Sequence, residues 1–303
     1  MTRRGWVLFA AMGVIWGIPY LLIKIAVGEL APSTLVLART ALAGAILLPI
    51  TVARGQLRAV LPHWRPVIFF AVVELLIPWV LLAMAEQRLS SSLTGLLIAS
   101  VPLVGAILAV ATRSDDRLDG RRLVGLLVGF AGVAALVGFE VGGGDVAAVV
   151  GIAVVAVCYA AGPLILARWL SQLPGLGVIT ASLLLTALVY LPFGIAQAPA
   201  RWPSTDVTLA VIGLAVVCTA VAFVVFFELI AEVGPTRSTV ITYLNPAVAV
   251  LLGVSLLDER FTKATAAGFA LILAGSVLAT RRQAVERPSV PGAALIVPAV
   301  AEP

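Results

Sequence analysis

Long apolar runs separated by short polar loops make up most of this chain. Inside a bilayer every backbone N–H and C=O group must find a partner within the protein, so runs as long and as uniform as these favour helices. About 20 apolar residues are enough to cross roughly 30 Å of hydrocarbon. The pattern predicts an all-α integral membrane protein with ten transmembrane helices, called spans 1 to 10, at approximately 5–27, 34–53, 66–86, 91–112, 121–139, 146–168, 176–197, 206–230, 237–257 and 261–280.

The two halves of the chain look like one sequence written twice. Residues 94–136 and 238–279 share prolines, an acid-arginine pair and glycines at a shift of 144 or 143 residues: Pro102 with Pro246, Asp116 with Glu259, Gly125 with Gly268 and Gly132 with Gly275. Because each copy holds five spans, an odd number, the second copy must enter the membrane from the opposite side. The sequence therefore predicts two inverted five-helix repeats, an architecture of secondary transporters that alternate access.

The polar, glycine-rich and proline-rich segments between and after the apolar runs give the domain boundaries. We predict a first repeat at 5–139, a glycine-rich connecting loop at 140–145, a second repeat at 146–281, and a disordered cytoplasmic tail at 284–303, which holds four prolines. If the N-terminus is cytoplasmic, fourteen of the 20 Lys and Arg residues lie inside, four outside and two within spans. Cytoplasmic loops carry the excess of Lys and Arg, so both termini are predicted to be cytoplasmic.

Composition narrows the class of function. The chain has 61% hydrophobic and 12% charged residues and a mean hydropathy of +1.13, whereas a soluble protein carries about 25% charged residues. Short loops leave no room for a separate enzyme or nucleic-acid reader, and no catalytic constellation lies within the spans. Cys158 and Cys218 fall inside spans and His63 has no second ligand nearby. We therefore expect no enzyme activity, no metal, no cofactor and no nucleic-acid partner.

Paired helix breaks are the strongest sequence pointer to a transporter's substrate site, because they free backbone groups at membrane depth. Pro19 in span 1 corresponds to Pro163 in span 6, and Pro102 in span 4 to Pro246 in span 9. A lone membrane proline is more often a harmless kink than a binding site. Two breaks repeated in register favour a cavity lined by all four prolines.

Aromatic and hydroxyl side chains near these breaks are candidates for binding a solute. Trp16, Tyr20 and Lys24 have the i, i+4, i+8 spacing that places them on one helix face. This face is either a packing stripe that ends in a snorkelling lysine or a wall for an amphiphilic solute. In span 9, Thr242, Tyr243 and Asn245 beside Pro246 either bind a polar solute or satisfy the break itself. Trp79 and Tyr159 are expected to shape the same cavity.

Ionisable residues within the spans are costly and so are functional candidates. Glu74 is the deepest, in span 3, and is our candidate for proton coupling; the alternative is a neutral glutamate hydrogen-bonded to a neighbouring helix. Lys24, Arg39 and Glu86 lie toward the external ends of their spans. They are expected to form a structural ion-pair cluster or, as the second interpretation, an outer gate.

Small residues recur at four-residue spacing in several spans. Gly125, Gly129 and Gly132 form a stripe on span 5, and Gly268 and Gly275 repeat part of it on span 10. Such stripes let helices approach closely. Tight packing within one chain is the first interpretation and a homodimer interface the second, so we expect a monomer or a homodimer in the lipid bilayer.

Several segments together resemble the EamA family of the drug/metabolite transporter superfamily. They are Ile-Trp-Gly-Ile-Pro-Tyr at 15–20, Arg-Thr-Ala-Leu-Ala from Arg39, Tyr-Leu-Asn-Pro-Ala-Val-Ala-Val-Leu-Leu-Gly at 243–253, Leu-Asp-Glu-Arg-Phe-Thr at 257–262, and Gly268 to Gly275. The resemblance implies a bacterial inner-membrane carrier with a central cavity between two repeats. It also implies that Glu259 and Asp116 are the family's characteristic acids. The family's usual glycine before the second-repeat acid is Asp258 in this chain.

The function predicted from these observations is secondary active transport. We expect an inner-membrane exporter of a small amphiphilic metabolite, such as an amino acid, that works by alternating access with protons as the coupling ion. The alternatives are a flippase or carrier for a phosphorylated lipid or sugar head group, with Lys24 and Arg39 on the phosphate, and a drug efflux carrier.

Overall fold

The computed structural model describes residues 2–111, 120–140, 145–234 and 238–280, and within these ranges the chain is helical with no strand. Nine helices in the described ranges are long and apolar enough to cross a membrane. They are spans 1 to 8 and span 10: Arg3–Ala26, Pro32–Ala53, Gln56–Glu86, Ser91–Ala111, Gly120–Glu140, Val146–Leu170, Gly175–Ala196, Thr205–Val233 and Lys263–Thr280. The predicted positions at 116, 141–144 and 284–303 lie outside the described residues.

Span 9 is shorter and is built from two pieces. A 3₁₀-helix at Thr239–Tyr243 leads into an α-helix at Asn245–Leu256. Span 4 is divided at the equivalent place, into Ser91–Ile98 and Val101–Ala111. Pro246 and Pro102 are each the second residue of the helix that follows the break, where a missing N–H costs nothing. With this tenth apolar segment, the predicted all-α membrane fold of ten spans is confirmed.

Pro19 and Pro163, the other proline pair, lie within continuous helices. Span 1 runs as one α-helix from Arg3 to Ala26, and the α-helical part of span 6 runs from Val146 to Ile165. Proline at these positions removes one intrahelical hydrogen bond without ending the helix, which neighbouring helices make tolerable in a membrane protein.

A pair of π-helical turns repeats across the two halves of the chain. Span 3 contains one at Val72–Leu76 and span 8 contains one at Val216–Val221. The first residues of the two turns are 144 residues apart, the same shift that relates the two repeats. A π turn interrupts the regular hydrogen bonding of an α-helix, and near both turns a side-chain hydroxyl group donates to a backbone carbonyl. Tyr190 Oη donates to Leu76 O at 3.0 Å, and Thr219 Oγ1 donates to Leu214 O at 2.8 Å. Such turns often occur at functional sites.

Contacts between the spans follow a pseudo-two-fold pattern. Span 1 packs against spans 8 and 9, and span 6 packs against spans 3 and 4, which are the equivalent spans of the other repeat. Span 2 packs against its own equivalent, span 7, and span 5 packs against span 10. This is the pairing that two inverted five-helix repeats produce. The end of the bundle that holds the loops at 27–31 and 87–90 is called the outer end below, and the opposite end is called the inner end.

The glycine stripes are used within the chain. A Cβ added at Gly132 would lie 2.7 Å from Gly268 O and 2.8 Å from Ile272 N, and one at Gly125 would lie 2.8 Å from Gly275 O. The backbones of spans 5 and 10 are therefore in direct contact, and this face is already occupied by the protein's own helix.

Candidate functional site

Side chains from five spans meet in the middle of the bundle, and we call this group the central cluster: Tyr20, Arg39, Trp79, Tyr159 and Thr219. Arg39 of span 2 is 7% exposed, and its guanidinium carbon lies 3.7 Å from the centroid of the Trp79 ring on span 3. Its Nε donates to Thr219 Oγ1 of the span 8 π turn at 2.9 Å. The cation is thus held by a stacking contact and one hydrogen bond from two spans of opposite repeats.

Two tyrosines complete the central cluster. The charge of the Arg39 guanidinium interacts with Tyr20 of span 1 and Tyr159 of span 6, as well as with Cys218 beside Thr219. Tyr20 is 6% exposed, and Tyr159 packs against the apolar cluster that contains Trp79. Tyr20, Arg39 and Trp79 are six or seven residues from the outer ends of their helices, so they lie about 10 Å below them at 1.5 Å per residue. The cluster therefore lies in the outer half of the bundle, away from the helix ends.

Glu74 lies in the span 3 π turn and faces span 6. Its Oε2 is buried and has no hydrogen-bond partner among the described residues. A Cβ added at Gly162 would collide with that oxygen, so the carboxyl group occupies the space that the missing side chain leaves, one residue before Pro163. The charge of Glu74 also interacts with Cys158 and Tyr159. Glu74 therefore borders the central cluster through Tyr159.

Lys24, Glu86 and Glu259 meet at the outer end, in what we call the outer lock. Lys24 Nζ donates to Glu86 O at 2.7 Å and to Leu89 O at 2.8 Å, which closes the last turn of span 3. Glu259 Oε1 and Oε2 accept from the backbone N–H groups of Ser91 and Ser92 at 2.7 and 2.9 Å, which caps the start of span 4. Cations at a helix C-terminus and anions at an N-terminus are both stabilising.

The predicted ion-pair cluster of Lys24, Arg39 and Glu86 is divided between these two places. Lys24 contacts the backbone of Glu86, and in the described residues no nitrogen of Lys24 or Arg39 lies within 4.0 Å of a Glu86 carboxylate oxygen. The Glu86 side chain is fully buried, and neither of its oxygens has a hydrogen-bond partner in those residues.

Other predicted site residues lie away from the central cluster. Trp16 packs against Phe226 and Phe223 of span 8, with ring centroids 4.7 and 6.0 Å apart. Tyr243 Oη lies 3.2 Å from Thr280 Oγ1 on span 10. Asn245, with its amide nitrogen oriented to donate, lies 3.0 Å from Ile241 O and 3.2 Å from Gly13 O, and so joins span 9 to span 1. Thr242 is half-buried near the inner end.

The four prolines differ in their surroundings. Pro19 and Pro246 are buried and Pro102 is half-buried, whereas Pro163 is exposed. Ser276 of span 10 lies 3.5 Å from Ala99 O at the break in span 4. Two surface pockets lie outside the central cluster, one of about 610 Å³ beside Trp202 at the outer end and one of about 420 Å³ beside Arg58 at the inner end.

Sequence reasoning missed Thr219, Gly162 and the target of Glu259. The duplicated register at a shift of 144 residues does pair Glu74 with Cys218, and this signal could have drawn attention to the neighbouring Thr219. The contact between Glu259 and Ser91 joins residues that are 168 positions apart in the chain, and no local sequence pattern predicts it.

Comparison with known proteins accounts for this architecture. The model of the EamA-like transporter family matches residues 3–138 and 146–281, once over each repeat. The chain belongs to the EamA-like transporter family. The resemblance predicted from the sequence motifs is confirmed, and this EamA-like chain is a multi-pass membrane transporter.

Named relatives of this EamA-like chain extend over most of its length. YedA of Escherichia coli strain K12, described as an uncharacterized inner membrane transporter, is 31% identical over 283 residues, which cover 89% of this chain and 88% of YedA. YvbV of Bacillus subtilis strain 168, described as an uncharacterized transporter, is 20% identical over 284 residues, which cover 92% of this chain and 92% of YvbV. A solved crystal structure with 24% identity has a TM-score of 0.65 and covers 92% of this chain and 97% of its own, which shows the fold.

Proposed function

We propose that this protein is a secondary active carrier of the bacterial inner membrane that exports a small amphiphilic metabolite, an amino acid or a related compound, by alternating access. The N- and C-termini are cytoplasmic in this proposal, so the outer end faces the periplasm. The observation that carries it is the central cluster, where the buried Arg39 cation contacts Trp79 of one repeat and Thr219 of the other and interacts with two tyrosines.

The difference between the two ends supports alternating access. At the outer end Lys24 is bonded to the carbonyls of Glu86 and Leu89. Its equivalent at a shift of 144 residues is Arg168, near the inner end of span 6. Arg168 is exposed and lies over its neighbour Trp169, at 6.0 Å from the ring centroid. The contact of Lys24 with two carbonyls is thus formed at the outer end, and among the described residues Arg168 does not repeat it at the inner end. The inner counterparts of Glu259, Ser91 and Ser92 lie outside the described residues. This difference in the Lys24 contact supports a carrier that is closed on the outer side.

Proton coupling is assigned to Glu74 in this proposal. Its buried oxygen without a described partner, its place in a π turn and its contact with Gly162 of the other repeat support the assignment. The titratable groups within electrostatic range of it are Cys158 and Tyr159 of span 6. A proton taken up here would change the charge at the contact between spans 3 and 6.

Transport in proteoliposomes tests this role. We expect Glu74→Gln to remove the dependence of transport on a pH gradient while leaving exchange of solute across equal pH measurable. Asp206→Asn, which removes an exposed carboxylate from the first turn of span 8, is the matched control and should behave as the parent protein. A Glu74→Gln variant that keeps the parent's response to the pH gradient would exclude Glu74 as the coupling residue.

The structure favours neither alternative function over metabolite export. A phosphorylated head group would need Lys24 together with Arg39, yet Lys24 already donates to two backbone carbonyls. A drug efflux carrier for cations would place its solute beside the Arg39 cation. Efflux of radiolabelled amino acids, measured against lipid translocation and efflux of a hydrophobic cation in the same vesicles, separates the three.

A further inference from the structure

The Arg39 guanidinium is a buried cation with most of its donors unused. Its Nε donates to Thr219 Oγ1, and among the described residues the two terminal nitrogens have no hydrogen-bond partner and no carboxylate within 4.0 Å. Neither terminal nitrogen is fully enclosed by protein. Arginine cannot lose its proton in proteins, so this site keeps a positive charge at membrane depth. Such a charge is costly unless it is paired.

The surroundings hold the guanidinium in one orientation. The Trp79 ring lies 3.7 Å from the guanidinium carbon and fixes its plane, and Thr219 fixes the Nε edge because its own hydroxyl hydrogen is donated to Leu214 O. What remains is the end of the fork formed by the two terminal nitrogens. That edge matches the two oxygens of a carboxylate or phosphate with two parallel N–H···O bonds.

The charge of the site favours a carboxylate over a phosphate as its ligand. Arg39 is the one cation among the side chains that define the central cluster, and Lys24 of the outer lock is engaged with the carbonyls of Glu86 and Leu89. A single fixed positive charge balances a carboxylate, whereas a phosphate monoester carries nearly two negative charges at neutral pH. Tyr20 and Tyr159 lie within electrostatic range of this charge and add aromatic side chains to the central cluster.

We propose that Arg39 binds the carboxylate group of the transported solute end-on, with Trp79 and Thr219 as its positioning residues. The inference rests on the proposed transport function and narrows it to solutes that carry a carboxylate. Repeat symmetry agrees with a role in binding, because position 183, the equivalent of Arg39 at a shift of 144 residues, is a leucine. The cation therefore belongs to one asymmetric site and not to a pair of matched locks.

Matched ligand pairs test the proposal. Each amino acid of a complete panel is compared with its carboxamide by thermal-shift stabilisation of purified protein, with acetate and inorganic phosphate as further probes. We expect at least one amino acid to bind about 10- to 100-fold more tightly than its amide, the range expected for one charge-assisted pair. In Arg39→Gln that ratio should fall to within about twofold. Arg201→Gln, which removes an exposed loop cation, is the matched control and should keep the ratio.

Each outcome decides the proposal. Equal affinity of the parent protein for acids and amides overturns it even if Arg39→Gln fails to fold, and so does a preference that survives in Arg39→Gln. Stabilisation by phosphate but not by carboxylates overturns the choice of ligand. Transport of the same panel in proteoliposomes distinguishes a failure of the Arg39 proposal from a failure of the proposed carrier function. Transport without a preference for carboxylates would refute the role of Arg39 and leave the carrier function intact. No binding and no transport of any solute would refute both.

Discussion

Removing the Glu259 carboxylate should open the outer end of the protein. Glu259 accepts hydrogen bonds from Ser91 N at 2.7 Å and Ser92 N at 2.9 Å. Both serines are nearly fully buried, with 0% and 4% of their surface exposed. In Glu259→Ala these N–H groups at the start of span 4 lose their acceptor, and the loop between spans 9 and 10 loses its attachment to span 4. The closed state is therefore destabilised relative to any state in which water reaches these groups.

The size of the effect follows from the two bonds. A hydrogen bond to a charged group contributes about 1.5–3 kcal/mol, and a negative charge at a helix N-terminus adds about 0.3–1 kcal/mol. Glu259 itself is only half-buried, and water can replace part of what is lost. We therefore expect about 2–4 kcal/mol, which shifts the equilibrium between closed and open states by roughly 30- to 700-fold at 1.4 kcal/mol per tenfold change. Glu259→Gln, which keeps an acceptor, should fall between the parent and Glu259→Ala.

The native cysteine next to the central cluster reports this opening. Cys218 is 1% exposed and lies beside Thr219. In a Cys158→Ser background it is the single thiol, and a membrane-impermeant thiol reagent added to intact cells reaches it when the outer end opens. We expect Glu259→Ala to raise the rate of labelling at least tenfold. The reagent is added from the periplasmic side, as the proposed orientation requires.

A neighbouring acid supplies the matched control for this experiment. Asp258→Asn removes an exposed carboxylate one residue away and keeps a side chain that tolerates the left-handed backbone at that position, so its labelling rate should equal that of the parent. An unchanged rate in Glu259→Ala would show that these two bonds do not hold the outer end closed. Equal increases in both variants would mean that charge alone, and not the capping geometry, is responsible.

Two further predictions concern stability, measured as the melting temperature of the purified protein in detergent. Gly132→Ala should destabilise the fold by about 1–3 kcal/mol, because the new methyl group meets backbone atoms of span 10. Gly138→Ala is on the same span but has open space around it, so it should be neutral or slightly stabilising. Equal melting temperatures of the two variants would contradict the close packing of spans 5 and 10. Asp258 has a φ of 53°, so Asp258→Ala should cost about 1–2 kcal/mol while Asp258→Gly should not, and a tolerated alanine would contradict the strained turn.

Features that depend on composition and local pattern could be predicted from the sequence. The ten spans followed from the length of the apolar runs, and the breaks in spans 4 and 9 from Pro102 and Pro246, since proline lacks the N–H that a continuous helix needs. Asp258 adopts the left-handed conformation with a φ of 53°, which an aspartate tolerates better than most residues. The tight turn before Glu259 is therefore formed.

Features that depend on contacts between distant segments could not be predicted. Lys24, Arg39 and Glu86 all lie near outer ends, which suggested one ion-pair cluster. The helix packing instead turns Lys24 toward backbone carbonyls and Arg39 toward Trp79. The π turns were missed because their residues are as apolar as any α-helical segment, and only the surrounding helices reveal the wider winding.

The paired π turns also carry information about ancestry. A π turn accommodates an additional residue in a helix. The register of 144 residues holds from Pro19 and Pro163 before the turns to Pro102 and Pro246 after them, and the turns at Val72 and Val216 keep it as well. The simplest history that preserves this spacing places the insertion in a single five-helix gene before that gene was copied and fused. The wider winding is then a property of the five-helix unit itself and not of one half of the chain.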